Sequence, residues 1–166
     1  MVRNLLLIRH AEAEFPSERT RDFDRVLTQN GHNQGIILGA YLKDLPFEIE
    51  AIYHSPSLRT LQTSQLIMDA LSKAPRLMDA EELYEATGNL MKAFINRLDD
   101  NFQNVAIVAH NPGISELYSF LTRKFESYVP STCAWLTCDF ESWTHLSGNS
   151  AIEKDFYYPG KLGHPF

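Results

Sequence analysis

Residues 5–10 read Leu5-Leu6-Leu7-Ile8-Arg9-His10. Four apolar residues in a row show no alternation, so neither face of this segment is made for water. That is the pattern of a strand covered on both faces, as in a parallel sheet. Residues 105–110 repeat it as Val105-Ala106-Ile107-Val108-Ala109-His110. A shorter run, Ala51-Ile52-Tyr53-His54, precedes Ser55 and Pro56.

Between these strands lie segments with a helical period. Thr28 is placed to cap a helix in which Ile37, Leu38, Tyr41, Leu42 and Leu45 form one apolar stripe, and Pro46 fits its end. Ser55 reads as the cap and Pro56 as the first residue of a second helix running to about Ser72, with Leu66, Ile67, Ala70 and Leu71 facing inward. Arg76 to Met78 suits a short strand. Thr87 caps a third helix with the stripe Leu90, Met91, Phe94, Ile95 and Leu98. Pro112 opens a fourth, with Ile114, Leu117, Tyr118 and Leu121 at helical spacing. Thr132 to Phe140 is rich in strand formers, and a last strand is expected near Lys154 to Tyr158. Phe15 to Val26 is polar and reads as a loop, and the Gly- and Pro-containing tail from Pro159 to Phe166 as loose. The order β-α-β-α-β-α-β-α-β-β predicts an α/β fold, a three-layer α/β/α sandwich around a mainly parallel sheet. No repeat or linker divides the 166 residues, so residues 1–166 are read as one domain.

Composition narrows the function classes. The chain is 44% hydrophobic and 22% charged, enough for a core without metal or disulfide. A formal net charge of −6 disfavours a nucleic-acid partner, which calls for a basic face. The longest early apolar stretch, Leu5 to Ile8, is too short to span a membrane, and the expected location is cytoplasmic. Cys133 and Cys138, five residues apart in a strand-like run, point to opposite faces and read as buried free thiols.

In open α/β sheets, ligands bind beyond the carboxyl ends of strands. Here one strand ends at Arg9-His10, a second delivers Ser55 and Arg59, and a third ends at His110. Two arginines and two histidines thus come from three strand ends. A phosphoryl group calls for this set. Arginine offers permanently charged, forked donors that match phosphate oxygens, and neutral histidine has a lone pair that can attack phosphorus. The helix beginning near Pro112 adds a positive dipole end.

Arg9-His10-Ala11 resembles the Arg-His-Gly signature of the histidine phosphatase superfamily, with alanine in place of glycine. The run Leu6 to Glu14 resembles the small SixA-type phosphohistidine phosphatase branch. So do Asp22-Phe23-Asp24-Arg25-Val26-Leu27-Thr28 and Ser55-Pro56-Ser57-Leu58-Arg59-Thr60-Leu61-Gln62-Thr63. Leu83-Tyr84-Glu85-Ala86 and His110-Asn111-Pro112-Gly113 continue the match in order. Five motifs in sequence cover residues 3 to about 140. The resemblance implies a phosphoglycerate-mutase-like fold and a reaction that needs neither metal nor organic cofactor. It implies that His10 is the nucleophile, that Arg9, Arg59 and His110 bind the phosphoryl oxygens, and that Glu85 is the leaving-group acid. Larger relatives that act on sugar phosphates insert segments over the pocket, and the 166 residues leave little length for them, so the expected partner is a phosphorylated protein bearing phosphohistidine.

Blander readings stand beside these. Glu81, Glu82 and Glu85 also read as a solvated acidic stretch, and Asn111 as a helix cap. His54 reads as structural, and His32, His145 and His164 as surface residues. The charged segment Glu14 to Arg25 is either a solvated loop or a mobile flap with Arg19 or Arg21 reaching a partner. A small phosphomonoester remains the rival substrate, and a non-catalytic module that binds phosphorylated partners is the rival from another class.

Overall fold

The computed structural model describes residues 1–161. Its centre is a six-stranded sheet in the order β3-β2-β4-β1-β5-β6. The strands are β1 (Val2–Arg9), β2 (Ala51–His54), β3 (Arg76–Asp79), β4 (Asn104–Ala109), β5 (Cys133–Asp139) and β6 (Ala151–Tyr157). β1, β4, β2 and β3 pair in parallel, whereas β5 and then β6 extend the sheet antiparallel on the far side of β1.

Strand alternation divides the apolar runs between two layers. Leu5, Leu7, Tyr53, Val105 and Ile107 pack with Met91 and Ile95 of helix α3 (Gly88–Ile95) and with Ile114, Leu117 and Leu121 of α4 (Gly113–Thr122). Leu6, Ile8, Ile52, Ala106 and Val108 pack on the other face with Leu38 and Leu42 of α1 (Gln29–Lys43) and Ile67 of α2 (Leu58–Ala70). Each buried Val, Leu, Ile or Met among them contributes about 1.5–3 kcal/mol by leaving water, which is why the runs are unbroken by polar residues. The α/β/α sandwich expected from the sequence is therefore present. Cys133 joins one layer and Cys138 the other, both buried and free.

Local expectations meet mixed outcomes. Thr28 and Thr87 cap α1 and α3, accepting from the backbone N–H of Gly31 and of Leu90. Ser55 does not cap α2. Its N–H still pairs with the Val108 carbonyl of β4, so the chain turns at Pro56 and Ser57, and Ser57 holds the N-cap position. The helix ends at Ala70, one residue before Leu71, and of the four residues expected inward only Ile67 is fully buried. Leu66 and Ala70 instead pack on Gly35 and Gly39 of α1, where small residues let the two helices approach. Leu90 is 57% exposed and lies off the buried stripe of α3. β6 begins three residues earlier than expected, at Ala151. Residues 159–161 are not loose: they turn back, and Lys161 donates to Asp155. The rest of the expected tail, with His164, lies outside the described residues. Among the described residues no helix is long and apolar enough to cross a membrane.

Gly31 fixes how the segment after β1 docks on α1. A Cβ there would sit 2.0 Å from the Glu12 carbonyl oxygen, which itself accepts from Thr28 N–H. Backbone cannot yield as a side-chain tip can. We expect Gly31→Ala to lower stability by about 1–3 kcal/mol, read as a lower urea midpoint at unchanged m-value.

Candidate active site

The topology sets β1 and β4 side by side and β2 against β4, so three parallel strands end at the same edge. The residues that follow them meet there. His10 and His110 have ring centroids 5.3 Å apart, and both are buried. Arg59, in the first turn of α2, reaches between them. Its Nε lies 3.4 Å from His10 Nε2, and its Nη2 lies 3.3 Å from His110 Nδ1.

These contacts assign the ring protons. His10 Nδ1 is 2.7 Å from the Ala11 carbonyl, which can only accept, so Nδ1 carries the hydrogen and Nε2 keeps its lone pair. Arg59 can only donate, so His110 Nδ1 accepts from it and His110 Nε2–H donates to Ser55 Oγ at 2.7 Å. Burial, with the charges of Arg59 and Arg9 and the neighbouring His110, brings the His10 pKa down to about 3 against the pull of the Ala11 carbonyl. Burial and Arg59 bring that of His110 down to about 4, with Asp22 opposing. At neutral pH both rings are uncharged. A neutral ring with an aimed lone pair beside a buried guanidinium can attack an electrophile that carries negative charge.

Arg59 is 6% exposed, and its far side is held by one residue. Nη1 donates to the Asp22 carbonyl at 2.8 Å, and Nη2 pairs with Asp22 Oδ2 at 3.2 Å. Asp22 also accepts from Tyr84 Oη at 2.7 Å and from Arg25 Nη1 at 2.8 Å. Burial pushes the Asp22 carboxyl up, but hydrogen bonds from Arg25 and Tyr84 and the charge and donor of Arg59 outweigh it. The group is held well below the usual carboxylate range. The Tyr84 ring stands edge-on to His110 and is braced by Phe23. Arg9 donates through Nη1 to the Tyr128 carbonyl, while its buried Nε has no partner among the described residues. Burial first, and then the positive charges of Arg59 and Arg25, lower its pKa. Beside it opens a cavity of about 440 Å³ whose lining includes Arg9, His10, Arg25 and Phe15 and also Thr28 and the acidic Glu12.

Of the residues singled out in the sequence, Arg9, His10, Arg59 and His110 come together. Glu85 follows Tyr84 in the chain, is exposed, has φ 57°, and makes no hydrogen bond among the described residues. Asn111 donates to the Tyr128 carbonyl, tying the segment after β4 to the one before β5. Ala11 is buried and its N–H donates to Thr63 Oγ1. His54 is buried, with Nδ1 on the Ser55 carbonyl. Residues 14–26 are tied together at their base. Glu14 N–H pairs with the Val26 carbonyl, Arg25 Nε donates to the Glu14 carbonyl, and Arg21 is paired with Asp24. Sequence reasoning missed the contribution of Asp22, Arg25, Tyr84 and Ser55. For Ser55 the strand-end position was the available signal.

The pattern of the histidine phosphatase superfamily (branch 1) matches residues 5–87, half of the chain. The chain belongs to that superfamily. Among its relatives, an uncharacterised protein of Mycobacterium tuberculosis is 32% identical over 111 residues, a stretch covering 66% of this chain and 66% of that protein. The phosphohistidine phosphatase SixA of Escherichia coli is 29% identical over 122 residues, 70% of this chain and 73% of that one. A solved structure of the protein histidine phosphatase SixA complexed with tungstate superposes with a TM-score of 0.81 at 24% identity, covering 96% of this chain and 99% of that one. Phosphoglycerate mutase from Plasmodium falciparum does so with a TM-score of 0.64 at 19% identity, covering 93% and 90%. The fold is thus phosphoglycerate-mutase-like.

The two neutral histidines have a thermodynamic consequence. In the unfolded chain they titrate near 6.5, in the fold near 3 and 4. As pH falls, the unfolded state takes up these protons first, so stability declines from about pH 6.5 downward. We expect wild type to lose stability between pH 7.5 and 5.5, and His10→Gln to remove roughly 1 kcal/mol of that loss. Urea titrations of both proteins across this window measure it.

Proposed function

We propose that this chain is a phosphatase that works through a phosphohistidine intermediate on His10. The observation that carries the reading is the His10 ring: Nδ1–H is tied to the Ala11 carbonyl and Nε2 is turned to Arg59 beside His110. His10 Nε2 attacks phosphorus, an N–P bond forms, and the bond to the leaving group breaks. Arg59 and the unpartnered Nε of Arg9 donate to the phosphoryl oxygens, and His110 donates to them through Nδ1 once it takes up a proton there. Ser55 positions His110 by accepting its Nε2–H. Water then attacks the phosphoenzyme, the N–P bond breaks, and inorganic phosphate leaves.

The substrate we propose is phosphohistidine carried on a protein. Its leaving group is an imidazole, which departs readily once protonated, so the exposed Glu85 has to supply little more than a proton to the leaving nitrogen and a base for the water. The cavity beside Arg9 and His10 opens onto Phe15, which is 91% exposed, and this access suits a side chain protruding from a macromolecule. The name of the Escherichia coli relative supports the same class. Positive charge at the site comes from guanidinium groups, so we propose a reaction that needs no metal, in a cytoplasmic setting that keeps Cys133 and Cys138 reduced.

His10→Ala should abolish turnover and leave no acid-labile, base-stable phosphoenzyme on rapid quench. Arg59→Ala should lower kcat/KM about 100-fold or more, and Ser55→Ala about tenfold, mostly in kcat. Phosphoenzyme formation by His10→Ala would overturn the mechanism. A panel containing a phosphohistidine protein and small phosphomonoesters reads the substrate. Faster turnover of the small esters would replace the protein substrate with the rival one. Full activity in excess chelator is the expected result for metal independence.

A further inference from the structure

Four of the five N–H donors of Arg59 are engaged. Nε faces His10, Nη2 faces His110 and Asp22, and Nη1 is on the Asp22 backbone. On the side that faces the histidines, Nε and Nη2 are fully engaged, so a phosphoryl group placed there must displace a partner. The two histidines are 7% and 8% exposed and are fixed by the Ala11 carbonyl and Ser55. The Asp22 side chain is 47% exposed and stands on a short 3-10 turn, Asp22–Asp24, none of whose residues is buried. It is also the anionic partner of Arg59, and two anions on one guanidinium repel each other.

We propose that Asp22 is an internal competitor for the phosphoryl site, holding Arg59 in the empty enzyme, yielding to substrate, and returning to expel inorganic phosphate after turnover. The inference rests on the phosphatase reading and adds a residue to it. Asp22 need not leave the site to give way. Oδ1 remains on Arg25, Oδ2 remains on Tyr84, and Arg25 is itself anchored through Nε to the Glu14 carbonyl. A short movement about these two partners would free Nη2 of Arg59. A dianionic phosphoryl group offers more charge and more acceptors than one carboxylate, so it wins the exchange while bound. When the product drifts off, the carboxylate recaptures Arg59. A merely structural Asp22, needed to orient Arg59, predicts the opposite sign on its removal.

The test is calorimetric titration of the full chain with inorganic phosphate at pH 8. We expect Asp22→Asn to bind phosphate about tenfold more tightly than wild type, the scale of one charge-assisted hydrogen bond lost by the competitor. Tyr84→Phe keeps the ring against His110 but removes one anchor of Asp22, and should tighten phosphate several-fold. Equal or weaker phosphate binding by folded Asp22→Asn overturns the proposal. If that variant does not fold, unchanged or weaker binding by Tyr84→Phe overturns it. Phosphoenzyme trapping on wild-type His10 is run alongside. Trapping without the gain in affinity sinks the Asp22 role alone, whereas absent trapping sinks the phosphatase reading. Wild type and variants that all fail to bind phosphate would end both.

Discussion

A buried guanidinium holds the active edge of this molecule together. Arg59 is almost wholly withdrawn from water, yet it has no buried carboxylate as partner. It spans two neutral imidazoles and reaches a half-exposed aspartate at the rim. Taking a lone cation out of water costs several kcal/mol unless its donors are met. Here each side of the fork is met, but by weak bases and a removable anion. The imidazoles stay unprotonated because the guanidinium is beside them and water is not. The same arrangement leaves His10 Nε2 its lone pair, so the proposed nucleophile and the proposed anion site rest on one contact.

That contact depends on sheet topology. β1, β4 and β2 are neighbours and parallel, so their carboxyl ends fall at one edge although residues 10, 59 and 110 are distant in sequence. An antiparallel partner between them would have sent one histidine to the opposite end. Antiparallel pairing does occur, but only beyond β1, where β5 and β6 extend the sheet. Ser131 and Thr132, just before β5, tie back through their backbone to Arg9 and His10. Thus even the antiparallel side of the sheet fixes the segment that carries His10.

How much of this was legible follows from where each signal lies. The strands of residues 5–8 and 105–109 declare themselves because both faces are covered, and a histidine directly after such a run can hardly be anywhere but at a strand end. Thr28 and Thr87 are readable caps because the hydroxyl binds an N–H three residues on, a local event. Ser55 was misread because Ser55-Pro56-Ser57 offers two serines, and the choice depends on whether the Val108 carbonyl takes the Ser55 N–H. That is tertiary information. Asp22 and Arg25 sit in a segment of many similar charges, and nothing local distinguishes Asp22 from Asp24. What distinguishes it is that Arg59 and Tyr84 converge on it from α2 and from the turn after β3. Leu90 shows the converse error, since a helical period marks a face and not how far the neighbouring layer extends over it.

The loop of residues 14–26 now has a physical role that its composition concealed. Arg9, Arg25 and Arg59 crowd one edge, and their mutual repulsion acts on Arg9 together with burial. An empty site of this kind would oppose its own folding. Asp22 relieves that opposition, since it binds Arg25 and Arg59 together and takes Tyr84 as a third donor. The relief must nevertheless be reversible, because an anion held too tightly would exclude any phosphoryl group. Placement on an exposed turn meets both demands. The carboxylate is charged and multiply bonded when the site is empty, and water and Arg25 are at hand when it is displaced. A buried aspartate in the same position would have stabilised the fold further and closed the site.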